Sequence, residues 1–246
     1  MKQDPKKVGK YEILTESYLL DFNGKVPLSM IGNYLVHAAS SHASECGYGF
    51  NEMAERHTAW VLSKLAIEIL EYPSISEKLT LYTWIEQISR YICNRNFEIV
   101  NANGKQLALA RSIWAAINMQ TRRPTSLLGI GMDNFLSDKA CPISTPIKIK
   151  PLTDNYATSI PYGVKYSDLD LNKHVNSIKY IEHMLDLFEL DMYKTSEIKR
   201  LEVNYYAEAQ YGMQLTLHKQ LISKKKYNLA IRHEDKVFCR AAVTWK

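Results

Sequence analysis

The two halves of this 246-residue chain repeat one order of predicted secondary structure. Each half contains an apolar segment with helical composition, at about 27–46 and again at about 174–190. Each of these segments is followed by several runs rich in β-branched and aromatic residues, which is the pattern of strands. A helix followed by antiparallel strands predicts an α+β unit in which the helix packs on one face of the sheet. We therefore expect two such units in tandem.

Short sequence matches between the halves support the duplication. Lys78–Leu81 (KLTL) corresponds to Gln214–Leu217 (QLTL), and Lys105–Trp114 corresponds to Lys236–Trp245. These matches occur in the same order in both halves, which is harder to obtain by chance than any one of them.

A proline-rich stretch separates the two halves. Residues 126–155 contain Pro142, Pro146 and Pro151 and few periodic apolar positions. Proline fixes φ and removes a backbone donor, so this stretch is predicted to be a partly extended linker. The expected organisation is a first repeat at 1–125, the linker, and a second repeat at 156–246.

The composition is that of an ordinary globular protein, with 46% apolar and 23% charged residues. The net charge of +5 is too small to indicate nucleic acid binding, but it is compatible with an acidic protein partner. No apolar run approaches the roughly 18 residues of a membrane span, and the first ten residues lack the apolar stretch of a signal peptide. The four cysteines are scattered, as reduced thiols are, so we expect a cytoplasmic protein.

No cofactor is predicted. The seven histidines include no H-E-x-x-H and no pair four positions apart, which disfavours a metal site. Isolated histidines such as His183 are expected to be surface or hydrogen-bonded core residues. Gly129 and Gly131 form G-x-G, but Asn134 occupies the third glycine position of a dinucleotide fingerprint.

The segment just before the second helix has the composition of a functional site. Polar side chains occupy every second position there: Asp168, Asp170, Asn172, His174 and Asn176. In an extended segment, alternate side chains point to the same side. The following helix N-terminus favours negative charge. Helix capping accounts for one such residue but not for the whole set, so we predict a reactive site here.

This segment also resembles a known family. D-L-D-L-N-K-H-V-N-S-I-K-Y is similar to the D-x-N-x-H-V-N-N-x-K-Y signature of plant and bacterial acyl–acyl-carrier-protein thioesterases. Ala110–Arg123 and Leu201–Ala209 resemble two further blocks of that family, in the family's order. The resemblance implies two tandem hotdog folds, each a long helix wrapped by an antiparallel sheet. It also implies hydrolysis of fatty acyl-acyl carrier protein to a free fatty acid in fatty acid biosynthesis.

The resemblance implies four catalytic positions: Asp170, Asn172, His174 and Glu208. We expect Glu208 to act as general base or nucleophile, and His174 to orient it or to protonate the leaving thiolate. Asn172 is expected to donate to the thioester carbonyl, and Asp170 to hold Asn172 or His174. The family pattern has often been interpreted with a cysteine nucleophile directly after the glutamate. Ala209 stands there in this chain, which excludes that nucleophile.

An oxyanion site is expected at the start of the second helix. The backbone N–H groups of Val175 and Asn176 are the candidate donors.

The first repeat is expected to bind the acyl chain. Aligning Tyr34 with Tyr180 places apolar or glycine residues at the positions of the catalytic groups, which predicts that the first copy has lost them. Four residues are the candidate lining of the acyl pocket: Ala38, Ala39, Ala43 and Trp60.

The expected partner is acyl carrier protein, with neither nucleic acid nor a membrane involved. Five basic residues are the candidate contacts for it: Arg111, Arg122, Arg123, Lys148 and Lys150. Two alternatives remain at this stage, an acyl-coenzyme A thioesterase of the same fold and a non-catalytic module that binds acyl thioesters. The sequence also leaves chain-length preference and oligomeric state open, including a homodimer.

Overall fold

A computed structural model describes residues 7–153 and 158–246. The chain divides into two compact units. One comprises the residues up to 63 together with 67–145, and the other comprises 64–66 together with the residues from 146 on. Among the described residues, no helix combines the length and apolarity that a membrane crossing requires.

Among its described residues, the first unit has two α-helices and five strands. Their bounds are β1 Val8–Leu14, α1 Leu28–Glu45, α2 Phe50–Glu55, β2 Thr58–Ile69, β3 Lys78–Ile88, β4 Ile92–Asn101 and β5 Gln106–Asn118. The strand order is β1-β3-β4-β5-β2, and the pairs β1–β3, β3–β4 and β4–β5 are antiparallel. Asn103 and Gly104, with Gly104 at φ +77°, form the turn between β4 and β5.

Helix α1 packs on this sheet through one apolar face. Its buried positions recur every three or four residues, as the helical period requires: Leu28, Ile31, Leu35, Ala38, Ala39 and His42. The helix contacts β3, in which Leu79, Leu81 and Ile85 are each at most 2% exposed. The predicted helix at 27–46 therefore forms.

The second unit has the same architecture. Its elements are β6 Thr158–Gly163, α3 Ser177–Leu185, α4 Leu190–Thr195, β7 Ile198–Tyr205, β8 Gln214–Ser223, β9 Lys226–His233 and β10 Lys236–Trp245. The strand order is β7-β10-β9-β8-β6, with antiparallel pairing from β7 through to β6. The chain is therefore α+β with two tandem hotdog folds, as predicted.

The second helix is shorter than the expected 174–190. It begins at Ser177 because Asn176 caps it, its side chain accepting the N–H of Ile178 at 2.8 Å. It ends at Leu185, and the following turn buries Phe188 against the ring of Trp245, with ring centroids 5.0 Å apart.

Candidate active site

The polar residues before α3 lie on a tight loop, not on an extended strand. A 3-10 turn at Tyr166–Asp168 precedes the loop, and Leu169 pairs antiparallel with Val175. The N–H of Asp170 donates to the carbonyl oxygen of His174 at 2.8 Å. The chain thus reverses direction between these residues, so the expectation that alternate side chains share one side is wrong.

Asp170 forms this loop through its carboxylate. Its Oδ1 accepts the backbone N–H of Asn172 at 2.8 Å and that of His174 at 3.2 Å. Asp170 therefore holds both residues by their main chain, which is how a short polar side chain stabilises a turn. The side chain of Asn172 is left exposed at the tip of the loop.

The loop brings His174 to Glu208. The Nδ1 atom of His174 lies 3.4 Å from Oε2 of Glu208, which follows the end of β7. The two side chains are 22% and 34% exposed, so both are within reach of solvent and of a bound molecule. An imidazole beside a carboxylate is an arrangement able to move a proton.

The residue after Glu208 is held on both sides. The N–H of Ala209 donates to the hydroxyl of Tyr180 at 2.8 Å, and its carbonyl accepts the N–H of Val175 at 2.9 Å. His174 also pairs with Gln210 in an isolated antiparallel bridge. Burial raises the pKa of Tyr180 above its usual value, so its hydroxyl stays protonated. Sequence reasoning used Tyr180 only to align the repeats, although it ends the motif, and missed this role.

The expected backbone oxyanion donors are already engaged. The N–H of Val175 donates to Ala209, and the N–H of Asn176 donates to the carbonyl oxygen of Asp168 at 2.8 Å. Each backbone N–H carries one hydrogen, so neither group is available to a developing oxyanion. This expectation is wrong because one donor joins the loop to Ala209, beyond the end of β7, and the other closes the base of the loop.

Asp168 points away from the loop tip and is 2% exposed. Its carboxylate accepts the Tyr162 hydroxyl at 2.5 Å, the Lys165 N–H at 2.7 Å and His183 Nε2–H at 2.9 Å. Burial alone would raise the pKa of Asp168, but these hydrogen bonds and the charge of His183 outweigh it, and the pKa lies below its usual value. His183 is thus a hydrogen-bonded residue, as expected for an isolated histidine.

The first unit contains the same loop without the reactive pair. Asp21 Oδ1 accepts the N–H of Asn23 at 2.9 Å and that of Lys25 at 3.0 Å, and Asp21 N–H donates to Lys25 at 2.8 Å. Gly24 and Lys173 both have positive φ, +71° and +64°.

The counterparts in the two loops lie 149 positions apart, as the helix starts at 28 and 177 do. The sequence alignment through Tyr34 and Tyr180 is therefore out of register by three residues. Its conclusion that the first copy lost every polar group is wrong, since D-F-N-G-K-V at 21–26 corresponds to D-L-N-K-H-V at 170–175.

The two loops differ at two positions. Lys25 stands where the second unit has His174. In the first unit Val26 N–H donates to Pro73 at 2.9 Å, as Val175 donates to Ala209, so Tyr72 stands where the second unit has Glu208. The aspartate and asparagine are common to both loops, whereas the histidine and glutamate belong to the second unit alone.

The candidate acyl-pocket residues all lie in the first unit. Ala38 and Ala39 are buried on α1, at 1% and 5% exposure, and Ala43 is half-buried. Trp60 on β2 is partly buried, with its Nε1–H donating to the carbonyl oxygen of Tyr48 at 2.9 Å.

The candidate carrier contacts fall into two groups. Arg111 is engaged inside the first unit, donating to Asn96 at 3.1 Å, to the carbonyl oxygen of Ile143 at 3.1 Å and to Glu86. Its side chain is only 15% exposed, so Arg111 is excluded from the candidate contacts for acyl carrier protein. The other four are exposed: Arg122, Arg123, Lys148 and Lys150.

The four cysteines are unbridged and poorly suited to nucleophilic attack. Burial raises the pKa of Cys46 and of Cys93 to about 11. It raises the pKa of Cys141, and it raises that of Cys239 well above the usual range. Thiolate is the reactive form, so little of it exists near neutral pH.

Comparisons with known proteins identify relatives of both units. The family model described as the acyl-ACP thioesterase N-terminal domain matches residues 6–129, and the model of the C-terminal domain matches residues 153–246. The curated oleoyl-acyl carrier protein thioesterase 2, chloroplastic, of Arabidopsis thaliana is 27% identical over 220 residues. That match covers 82% of this chain and 59% of the relative, so this chain spans less than two thirds of its length.

Solved structures agree with these matches. The crystal structure of an acyl-ACP thioesterase from Bacteroides thetaiotaomicron has a TM-score of 0.92 and 38% identity, and 98% of each chain is covered. The 12:0-ACP thioesterase from Umbellularia californica has a TM-score of 0.89 over 98% of this chain and 97% of its own. At 18% identity, this second likeness shows the fold alone.

Proposed function

Because the chain belongs to the acyl-ACP thioesterase family, we propose that it hydrolyses the thioester of fatty acyl-acyl carrier protein and releases a free fatty acid. The observation that supports this best is the contact of 3.4 Å between His174 and Glu208. This pair is present only in the unit whose loop matches the family signature. The relatives' names supply the substrate class, fatty acyl groups on acyl carrier protein.

The proposed reaction uses Glu208 as the base. Its carboxylate removes a proton from water as the water oxygen adds to the thioester carbonyl carbon. The tetrahedral intermediate then collapses, the C–S bond breaks, and the leaving thiolate takes a proton delivered through His174. Direct attack by the Glu208 carboxylate is the alternative, and it would use the same two side chains.

Asn172 is the proposed donor to the carbonyl oxygen. Its side chain is exposed at the loop tip, and its backbone is fixed by Asp170 at 2.8 Å. The N–H groups of a side-chain amide can stabilise negative charge on that oxygen. Asp170 contributes by holding the backbone of Asn172 and His174.

The first unit is the proposed place for the acyl chain. It has Lys25 and Tyr72 in place of His174 and Glu208, and its long helix carries the small buried residues Ala38 and Ala39. Small side chains on a buried helix face leave room that larger ones would fill.

The substrate assay compares one acyl group on acyl carrier protein and on coenzyme A, over a range of chain lengths. We expect release of free thiol from both, with the higher kcat/KM on the carrier protein. A higher kcat/KM on acyl-coenzyme A would favour the acyl-coenzyme A thioesterase. Saturable binding without thiol release, unchanged in His174→Ala, would favour the non-catalytic module.

Thiol alkylation is expected to leave the activity intact. Ala209 replaces the cysteine of the family pattern, and burial keeps the four thiols protonated at neutral pH. The measurement is kcat before and after iodoacetamide treatment at pH 7, with mass spectrometry to count the modified cysteines. Stoichiometric inactivation that substrate prevents would contradict the carboxylate mechanism.

The unbridged thiols also support the proposal of a reducing, cytoplasmic location.

A further inference from the structure

The base of the His174 loop is closed at Asp168. The carbonyl oxygen of Asp168 accepts the N–H of Asn176 at 2.8 Å, which joins the residue before the loop to the residue after it. Asn176 is also the N-cap of α3. Any displacement of Asp168 therefore moves both the loop and the start of the helix.

The side chain of Asp168 fastens this base to the body of the unit. Its carboxylate receives donors from Tyr162 on β6, from the Lys165 backbone and from His183, near the other end of α3. The rings of Tyr162 and His183 also contact each other, with centroids 4.1 Å apart and planes tilted by 36°. Both carboxylate oxygens are thus used, and the group is 2% exposed.

The first unit provides an internal comparison. At the register of 149 residues, Leu19 stands in place of Asp168 and Tyr34 in place of His183. The Tyr34 hydroxyl is buried without a hydrogen-bond partner among the described residues. Pro27 stands in place of Asn176, and proline has no N–H with which to close the loop base.

The same turn thus forms without the Asp168 contacts, since Asp21 builds it in the first unit. The turn itself does not require these contacts. They occur only in the unit that also carries the histidine and glutamate. The Asp168 contacts therefore serve a purpose other than forming the turn.

We propose that Asp168, fastened by His183 and Tyr162, is a positioning residue that holds His174 in place against Glu208. This inference rests on the proposed function for its kinetic consequence, but not for its structural one. A reacting group displaced by about 1 Å can lose roughly 10²-fold in rate, so a buried fastening at the loop base has a large effect at the loop tip.

The decisive variant is Asp168→Asn. The amide keeps the size of the carboxylate but offers a single acceptor oxygen, so the Lys165 N–H or His183 loses its partner. We expect kcat to fall about 10- to 100-fold with little change in KM. Loss of this substitution's effect in a His174→Ala background would show that Asp168 acts through His174. Asp191→Asn is the matched control, because Asp191 is 86% exposed in the same unit.

A second readout needs no substrate. Amide hydrogen exchange at Asn172 and His174 is expected to accelerate about tenfold or more in Asp168→Asn. The base of the loop then loses a hydrogen bond to the charged Asp168 carboxylate, so the loop opens more often. The amides of Asn23 and Lys25, in the equivalent loop of the first unit, should exchange as before.

A pair of His183 variants covers the case in which Asp168→Asn does not fold. His183→Gln keeps an N–H donor at the position of Nε2 and should retain both kcat and slow exchange. His183→Phe removes that donor, so we expect a lower kcat and faster amide exchange.

Unchanged kcat and exchange in folded Asp168→Asn, or in His183→Phe, would overturn the proposal. A fall in kcat with unchanged exchange at His174 would also overturn it. If Asp168→Asn exchanges faster but the wild-type protein cleaves no acyl thioester, the structural role of Asp168 would stand and the proposed function would be rejected.

Discussion

Replacing Glu208 with glutamine is expected to lower kcat on fatty acyl-acyl carrier protein by about 10²–10⁴-fold, the usual loss when acid–base help is removed. Glutamine keeps the size of the side chain but cannot accept a proton from water or attack as a nucleophile. KM should change little, because the substitution alters no apolar surface. The measurement is the steady-state rate of thiol release, with thermal unfolding as the test of folding. Glu234→Gln, an exposed glutamate in the same unit, is the matched control.

His174→Ala should cost a similar factor, and the two losses should not add in the double variant, because groups that act as a unit are strongly non-additive. The 3.4 Å contact between the two side chains is the physical reason for this coupling. Near-normal turnover in Glu208→Gln would remove Glu208 from the mechanism. Full additivity would mean that the two side chains act independently.

Asp170→Ala is expected to lower kcat by about 10²-fold, because it releases the backbone of His174 and Asn172 together. It should also lower the free energy of unfolding by about 1–2 kcal/mol, since two hydrogen bonds to a charged oxygen are lost. The chain offers a matched control in Asp21→Ala, which removes the same two bonds from the equivalent loop of the first unit. We expect a similar loss of stability there, with kcat unchanged.

The comparison is made by denaturant unfolding and by thiol-release kinetics on the same two variants. A large kcat loss in Asp21→Ala would show that the first loop takes part in the reaction. If Asp170→Ala lost stability but kept its kcat, the turn would not be what positions His174.

Periodicity and composition predicted α1, α3 and most of the strands, because these elements follow from local pattern, but not the short helices α2 and α4. The residues that pair the two copies were harder to identify. Tyr34 and Tyr180 match in type but not in register, whereas the true correspondence, Asp21 with Asp170, is visible in the sequence only once the turn is known to repeat. A single identical residue on two helices is weak support for an alignment, while an Asp-x-Asn turn has a geometric reason to recur.

The active-site set could be predicted only through the family resemblance. His174 and Glu208 are 34 positions apart, and nothing local links them. Asp168 and His183 are 15 positions apart, and they meet because a 3-10 turn aims one at the helix face that presents the other. The engaged N–H groups of Val175 and Asn176 could not be predicted either, since their acceptors are set by tertiary packing.

The repeated turn has a consequence for how such a chain can change over generations. Its framework of main-chain bonds and one aspartate is common to both copies, although the side chains differ at the two positions that decide its chemistry, 25 and 72 in one copy and 174 and 208 in the other. The turn is therefore compatible with different residues at these positions. One copy of a duplicated unit can therefore lose its catalytic side chains and keep its fold, which leaves it available for binding.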